Sequence, residues 1–177
     1  MRDYLASRAR SAGSQSQARN ITREYLQARI LESMQRAGAM IPLAFHSGTA
    51  LRFLYSIPRF SEDLDFALER PCEGYDFPSY LREVQSDFRA EGYPVEVKAN
   101  TLQTMHSAFV RFSGLPFELG LSRQRGEILA IKIEVETNPP AGAGIASSLV
   151  NRQVVLNLQH HDQPSLRSLR RESAPTC

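Results

Sequence analysis

The chain has 177 residues, 42% of them hydrophobic and 23% charged, and 21 Lys and Arg against 19 Asp and Glu leave a formal charge of +2. These values fit one soluble globular domain, exclude a wholly disordered or fibrous chain, and are too balanced for net charge alone to argue nucleic-acid binding. Cys72 and Cys177 with no CxxC pair exclude a disulfide framework and a cysteine zinc site, and no apolar run reaches membrane-span length, so a soluble protein of the reducing cytoplasm is expected.

Residues 1–17, MRDYLASRARSAGSQSQ, are rich in Ser, Ala and Arg without a sustained apolar period and read as a flexible leader or frayed helix. The core domain is expected over residues 18–162. Asn20 can cap a helix in which Ile21, Tyr25, Leu26, Ile30, Leu31 and Met34 recur at helical spacing, with Gly38 as its end. A short strand is predicted from Ile41 to Phe45, then a small-residue turn at Ser47 and Gly48, then a helix over TALRFLYS. SEDLDFAL, Ser61 to Leu68, alternates as a half-buried strand does, with Leu64, Phe66 and Leu68 toward the core. After the PCEG turn, YLREVQSDFRAEG predicts a helix facing inward through Leu81, Val84 and Phe88. Strands are expected at Tyr93–Ala99, Ser107–Phe112, Leu115–Leu119, Ile128–Glu136 and Val154–Leu158, with NPPAGAG as a loop. The fold class that follows is α/β or α+β, one mixed sheet flanked by helices. Residues 163–177 have neither strand nor durable helical patterning and are expected to be a disordered tail.

Asp63 and Asp65 are two apart on a predicted strand, so both carboxylates point to one face while Leu64 and Phe66 anchor the other. Such a pair repels unless bridged, and a divalent cation is the ordinary bridge; Mg²⁺ suits oxygen ligands and completes its shell with water and phosphates. Upstream, Ser47 and Gly48 stand where a strand turns into a helix, a place where backbone N–H groups and the helix dipole receive phosphate. Glu134, on the alternating strand AIKIEVE, can complete a carboxylate triad for two cations if that strand lies beside the first. Other polar groups read blandly: His46 and His106 as structural histidines, Lys132 as an ion-pair partner, Cys72 as a turn residue. Adjacent His160 and His161 point to opposite faces of a strand, so with Asp162 they make a poor metal site.

The run HSGTALRFLYSIPRFSEDLDF resembles the first motif of the AbiEii-type nucleotidyltransferases, toxins of bacterial toxin–antitoxin and phage-abortive systems within the polymerase-beta-like superfamily. The family pattern GGTAL, a small loop with Arg, then Ser-x-Asp-x-Asp-Phe is matched by Gly48, Thr49, Ala50, Leu51, Arg59, Ser61, Asp63, Asp65 and Phe66. Ser47 replaces the first of two glycines, and IKIEV resembles the family's second acidic strand. The resemblance implies a polymerase-beta-like core. It implies that Asp63, Asp65 and Glu134 are catalytic and bind Mg²⁺ or Mn²⁺, and that Ser47, Gly48, Thr49, Arg59 and Ser61 serve the nucleotide. An NTP is then the substrate, a tRNA or other RNA the acceptor, and an antitoxin the cognate partner. Where the family continues into a lysine-bearing helix and a Lys-Gly-Arg-Asp segment, this chain reads RSLRRESAPTC. The expectation is therefore a member truncated in its helical C-terminal region. The alternative function is a non-catalytic remnant that binds nucleotide, RNA or antitoxin.

Overall fold

The computed structural model describes residues 2–69, 74–138, 145–151 and 155–161. In chain order these form α1 (Arg2–Arg10), α2 (Gln15–Arg36), β1 (Leu43–His46), α3 (Ser47–Tyr55), β2 (Leu64–Leu68), α4 (Phe77–Ala90), β3 (Val95–Asn100), β4 (Met105–Ser113), α5 (Leu115–Glu118), β5 (Ile128–Glu136), β6 (Ile145–Asn151) and β7 (Val155–His161). The strands make one seven-stranded mixed sheet in the order β3-β4-β5-β2-β1-β7-β6. Pairing is antiparallel except for β2 with β5 and β1 with β7, which are parallel.

Period-two alternation decides which side of the sheet is dry. Leu43 and Phe45, Leu64, Phe66 and Leu68, Leu129, Ile131, Ile133 and Val135, and Val110 and Phe112 are buried in one cluster. That cluster includes Leu26, Ile30, Leu31 and Met34 of α2 and Leu81, Val84 and Phe88 of α4. Phe45 and Phe66, neighbours across the β1–β2 ladder, hold their ring centroids 5.1 Å apart, and Phe53 of α3 meets Phe45 edge-on at 6.3 Å. On the other face Asp65, Lys132, Glu134 and Glu136 are half-buried and Phe109 and Ala130 exposed, whereas Ala44 and Ala67 are buried there.

Several sequence expectations are corrected. The second helix begins five residues before Asn20, because the Ser14 side chain accepts the Gln17 N–H and is the real N-cap. The segment read as a leader or frayed helix holds α1, whose Leu5 and Ala9 are buried. A face of so few apolar residues gives no period to read, and packing rather than propensity carries the helix. β1 starts only at Leu43, since the chain turns through Gly38 at φ 82° and leaves Ile41 76% exposed. The expected strand Leu115–Leu119 is a single helical turn. Gly114 enters it at φ 74° and Pro116 has no N–H to give a ladder. β6 was not foreseen; it exists by antiparallel pairing with β7. The expected strand from Val154 is β7, running Val155–His161. The PCEG turn at 71–74 lies largely outside the described residues, as do loop residues 139–144, Asp162 and the tail from 163.

Candidate active site

β2 is shorter than its sequence suggests. It begins at Leu64, so Asp63 sits at the mouth of the strand rather than within it. Asp65 is in the strand, and its parallel neighbour across the ladder is Glu134. His46 is the neighbour of Asp65 on the other side, and Ser107 and then Asn100 continue the row beyond Glu134. One line across the outer face of the sheet therefore reads His46, Asp65, Glu134, Ser107, Asn100. The condition placed on Glu134, that its strand lie beside that of the aspartates, is met by the sheet order.

Asp63 feels this company. Burial first, then the Asp65 carboxylate, pushes its proton affinity above the usual carboxylate range, with Glu134 and Glu62 adding to the shift and Lys132 opposing it. Lys132 makes a 2.8 Å ion pair with Glu134, and that hydrogen bond holds its own pKa above the ordinary value. Crowded carboxylates whose charge is costly to keep suit a divalent cation, so this all-oxygen donor set fits one in chemistry. Among the described residues, no three His, Cys, Asp or Glu side chains already close into a metal-holding group.

Of the residues the resemblance assigned to the nucleotide, Ser47, Gly48, Thr49 and Ser61 lie beside the aspartates. α3 starts directly after β1, with its N-terminus beside the acidic row. Its first residue, Ser47, is at φ 66°, a left-handed conformation that favours glycine, and its hydroxyl donates to the Asp65 carboxylate. The Thr49 hydroxyl, fully buried, donates to the Asp63 carbonyl oxygen, so this side chain fixes the backbone of the aspartate. A Cβ on Gly48 would lie 3.1 Å from the Ser61 hydroxyl oxygen and 3.4 Å from its Cβ; the small residue lets the Ser61 loop close against the helix start. Arg59 is exposed on that loop.

Three positioning residues escaped the sequence reading. Gln27 of α2 is 2% exposed, and its amide donates to the carbonyls of Ser61 at 3.1 Å and Glu62 at 3.0 Å, immediately before Asp63. Arg52 of α3 donates to the Ile57 carbonyl at 2.6 Å, pairs with Glu24 at 2.6 Å and lies 3.7 Å over the Phe60 ring. Arg23 adds an ion pair to Glu62 at 3.0 Å. The loop that delivers Asp63 is thus tied to two helices. The only sequence signal was an amide inside the otherwise apolar face of LQARIL, whose partners are more than thirty residues away.

Two tests follow from this geometry. Gln27→Met keeps the volume and removes both donors; it is expected to weaken Mn²⁺ binding roughly 10-fold, as loss of an outer-shell partner does, with a stability cost of about 1–3 kcal/mol. Mn²⁺ titration and urea unfolding measure the two, and unchanged affinity would show that the loop holds Asp63 without Gln27. Ser47→Gly should be tolerated better than Ser47→Ala by about 1 kcal/mol, because both lose the bond to Asp65 but only Ala keeps the left-handed strain. Parallel urea melts compare them.

The site is thus a row of carboxylates on a mixed α/β sheet, next to a small-residue helix start. The family model described as "Nucleotidyl transferase AbiEii toxin, Type IV TA system" matches residues 29–160, and the chain belongs to that family. No curated protein matches it. Among solved structures it is similar to JHP933 from Helicobacter pylori, with 19% identity and a TM-score of 0.45 over 78% of this chain and 51% of that one. A second H. pylori crystal structure, described provisionally as a nucleotidyltransferase, has 19% identity and a TM-score of 0.48 over 77% of this chain and 52% of that one. The chain thus spans about half the length of these two structures.

Proposed function

We propose that this chain is the catalytic sheet domain of a divalent-cation-dependent nucleotidyltransferase of toxin–antitoxin type, which transfers a nucleotide from an NTP to the hydroxyl of an RNA, with tRNA as the first acceptor to test. The observation that carries the reading is the ladder pairing of Asp65 with Glu134, with Asp63 at the strand mouth and the start of α3 beside them. In this reading Asp63, Asp65 and Glu134 hold Mg²⁺ or Mn²⁺, which when bound supplies Lewis-acid polarisation of the α-phosphate and charge stabilisation of the leaving pyrophosphate. Gly48 and the first N–H groups of α3 receive phosphate oxygens at the positive end of the helix dipole. Ser47 steadies Asp65, Thr49 steadies Asp63, and Ser61 and Arg59 flank the phosphates from the loop. The bond from the acceptor oxygen to the α-phosphorus forms as the bond to the pyrophosphate oxygen breaks; the acceptor proton leaves to a base and the electron pair leaves with pyrophosphate.

The family description supports an antitoxin as partner. The cytoplasm is the proposed setting, and among the described residues no helix is long and apolar enough to cross a membrane. The test is incubation of the folded protein with Mg²⁺ or Mn²⁺, each labelled NTP in turn and total tRNA. Label transfer to RNA with pyrophosphate release is expected. Metal-dependent NTP binding without transfer to any RNA would instead favour a binding remnant, and release of free phosphate a hydrolase.

A further inference from the structure

The outer face of the sheet carries more than the acidic row. One step along the same strands, Lys98 of β3, Phe109 of β4 and Lys132 of β5 are direct ladder neighbours. Arg111 follows Phe109 on the same face by strand alternation. Phe109 is 43% exposed, and Met105, on the same face, is also 43% exposed. The side chain of Lys98 is 61% exposed. Phe109 thus offers a partly exposed aromatic ring with a lysine as ladder neighbour on either side.

Charge is divided across this face. The carboxylates Asp65, Glu134 and Glu136 belong to β2 and β5, with Asp63 at the mouth of β2, whereas Lys98 and Arg111 belong to β3 and β4. Glu96 serves both of these cations, at 3.6 Å from Lys98 and 3.5 Å from Arg111, so a single carboxylate stands against two positive charges. Lys132, paired with Glu134, stands at the border. With strands about 4.8 Å apart, Phe109 lies roughly 10 Å from the β2 row that carries the aspartates. A packed helix or a second protein surface laid here would take these cations and carboxylates out of water at a large desolvation cost. A wet polyanion with a flat apolar base would not: its phosphates meet the cations and its base covers the ring.

We infer that Phe109, flanked by Lys98, Lys132 and Arg111, is the platform on which the terminal bases of a single-stranded RNA acceptor stack, aiming its 3′ end along the sheet toward Asp63 and Asp65. The inference rests on the proposed nucleotidyl transfer and assigns its acceptor side. The exposed Asn100 and half-buried Ser107, in the same row as Glu134, are placed to hydrogen-bond the sugar of the last nucleotide.

The experiment is fluorescence anisotropy of the whole chain with a fluorescein-labelled single-stranded RNA ending in a free 3′ hydroxyl, alongside calorimetry of Mn²⁺-dependent NTP binding by the same wild-type protein. Phe109→Ala should weaken RNA binding roughly 10-fold, and Phe109→Trp should restore it. Lys98→Ala and Arg111→Ala should each flatten the dependence of log affinity on log salt by about 0.7. All are surface changes, and circular dichroism confirms folding. Equal RNA affinity of wild type and Phe109→Ala would overturn the platform. So would equal affinity for duplex DNA, or a loss of self-association in Phe109→Ala without a change in RNA binding. If the wild type binds NTP with Mn²⁺ but no RNA, the platform fails and the nucleotide site stands; if it binds RNA through Phe109 but no NTP, the nucleotide reading fails instead.

Discussion

Asp63→Asn is expected to abolish detectable nucleotidyl transfer and, in the metal-free protein, to raise stability. In the proposed site Asp63 is a cation-holding carboxylate, and its loss removes several kcal/mol of transition-state charge stabilisation; about 3 kcal/mol is already roughly a hundredfold in rate. The gain in stability has a separate cause. Burial and the Asp65 carboxylate raise the proton affinity of Asp63 in the folded chain, so its ionised form opposes folding at neutral pH. The sign is fixed by linkage: the folded state binds this proton more tightly than the unfolded state, so the penalty is full above the raised folded pKa. It fades as pH falls through that value toward the ordinary carboxylate range. Urea melts of wild type and Asp63→Asn without metal should therefore diverge at neutral pH and converge in acid. Added Mn²⁺ should stabilise the wild type and leave the variant unmoved. A variant that keeps full activity would remove Asp63 from the site; one that is less stable without metal would mean that its charge is already compensated.

Phe66→Ala is expected to have the largest effect on folding. Phe66 is 1% exposed, sits between the two acidic positions and the rest of β2, and packs on Phe45 across the ladder. Truncating a buried phenylalanine costs about 3–5 kcal/mol through lost burial and the cavity left behind. For a chain of this size that is a fall in Tm on the order of 10 °C. Because Asp65 precedes Phe66 in the strand, Mn²⁺ affinity should fall as well, even below the melting range. A thermal shift of only a degree or two would show that the sheet collapses readily onto the void.

Much of the site was legible in the chain. Alternation in SEDLDFAL identified which residues of β2 face inward and that Asp65 takes the other face, because a pleated strand leaves a side chain no other choice, while Asp63 falls just before the strand. Ser47 and Gly48 marked the strand-to-helix turn, and the left-handed Ser47 and the close Ser61 show why small residues stand there. Local signals left α1 undecided, misjudged α5 and missed β6. A helix with only Leu5 and Ala9 buried has no period to recognise, Gly114 and Pro116 redirect an apolar run into a turn, and β6 exists through its pairing with β7.

By itself, then, the sequence determined the mixed α/β class, the core face of β2, the alternation of β5 and the candidate acidic groups, since each follows from spacing within one segment. Only the tertiary structure decided that β5 lies parallel to β2 with Glu134 beside Asp65, that Gln27, Thr49 and Arg52 fix the loop before Asp63, and that Phe109 and its lysines share the acidic face. Those are contacts between residues far apart in the chain, and sheet order and register, which no local pattern encodes, bring them together.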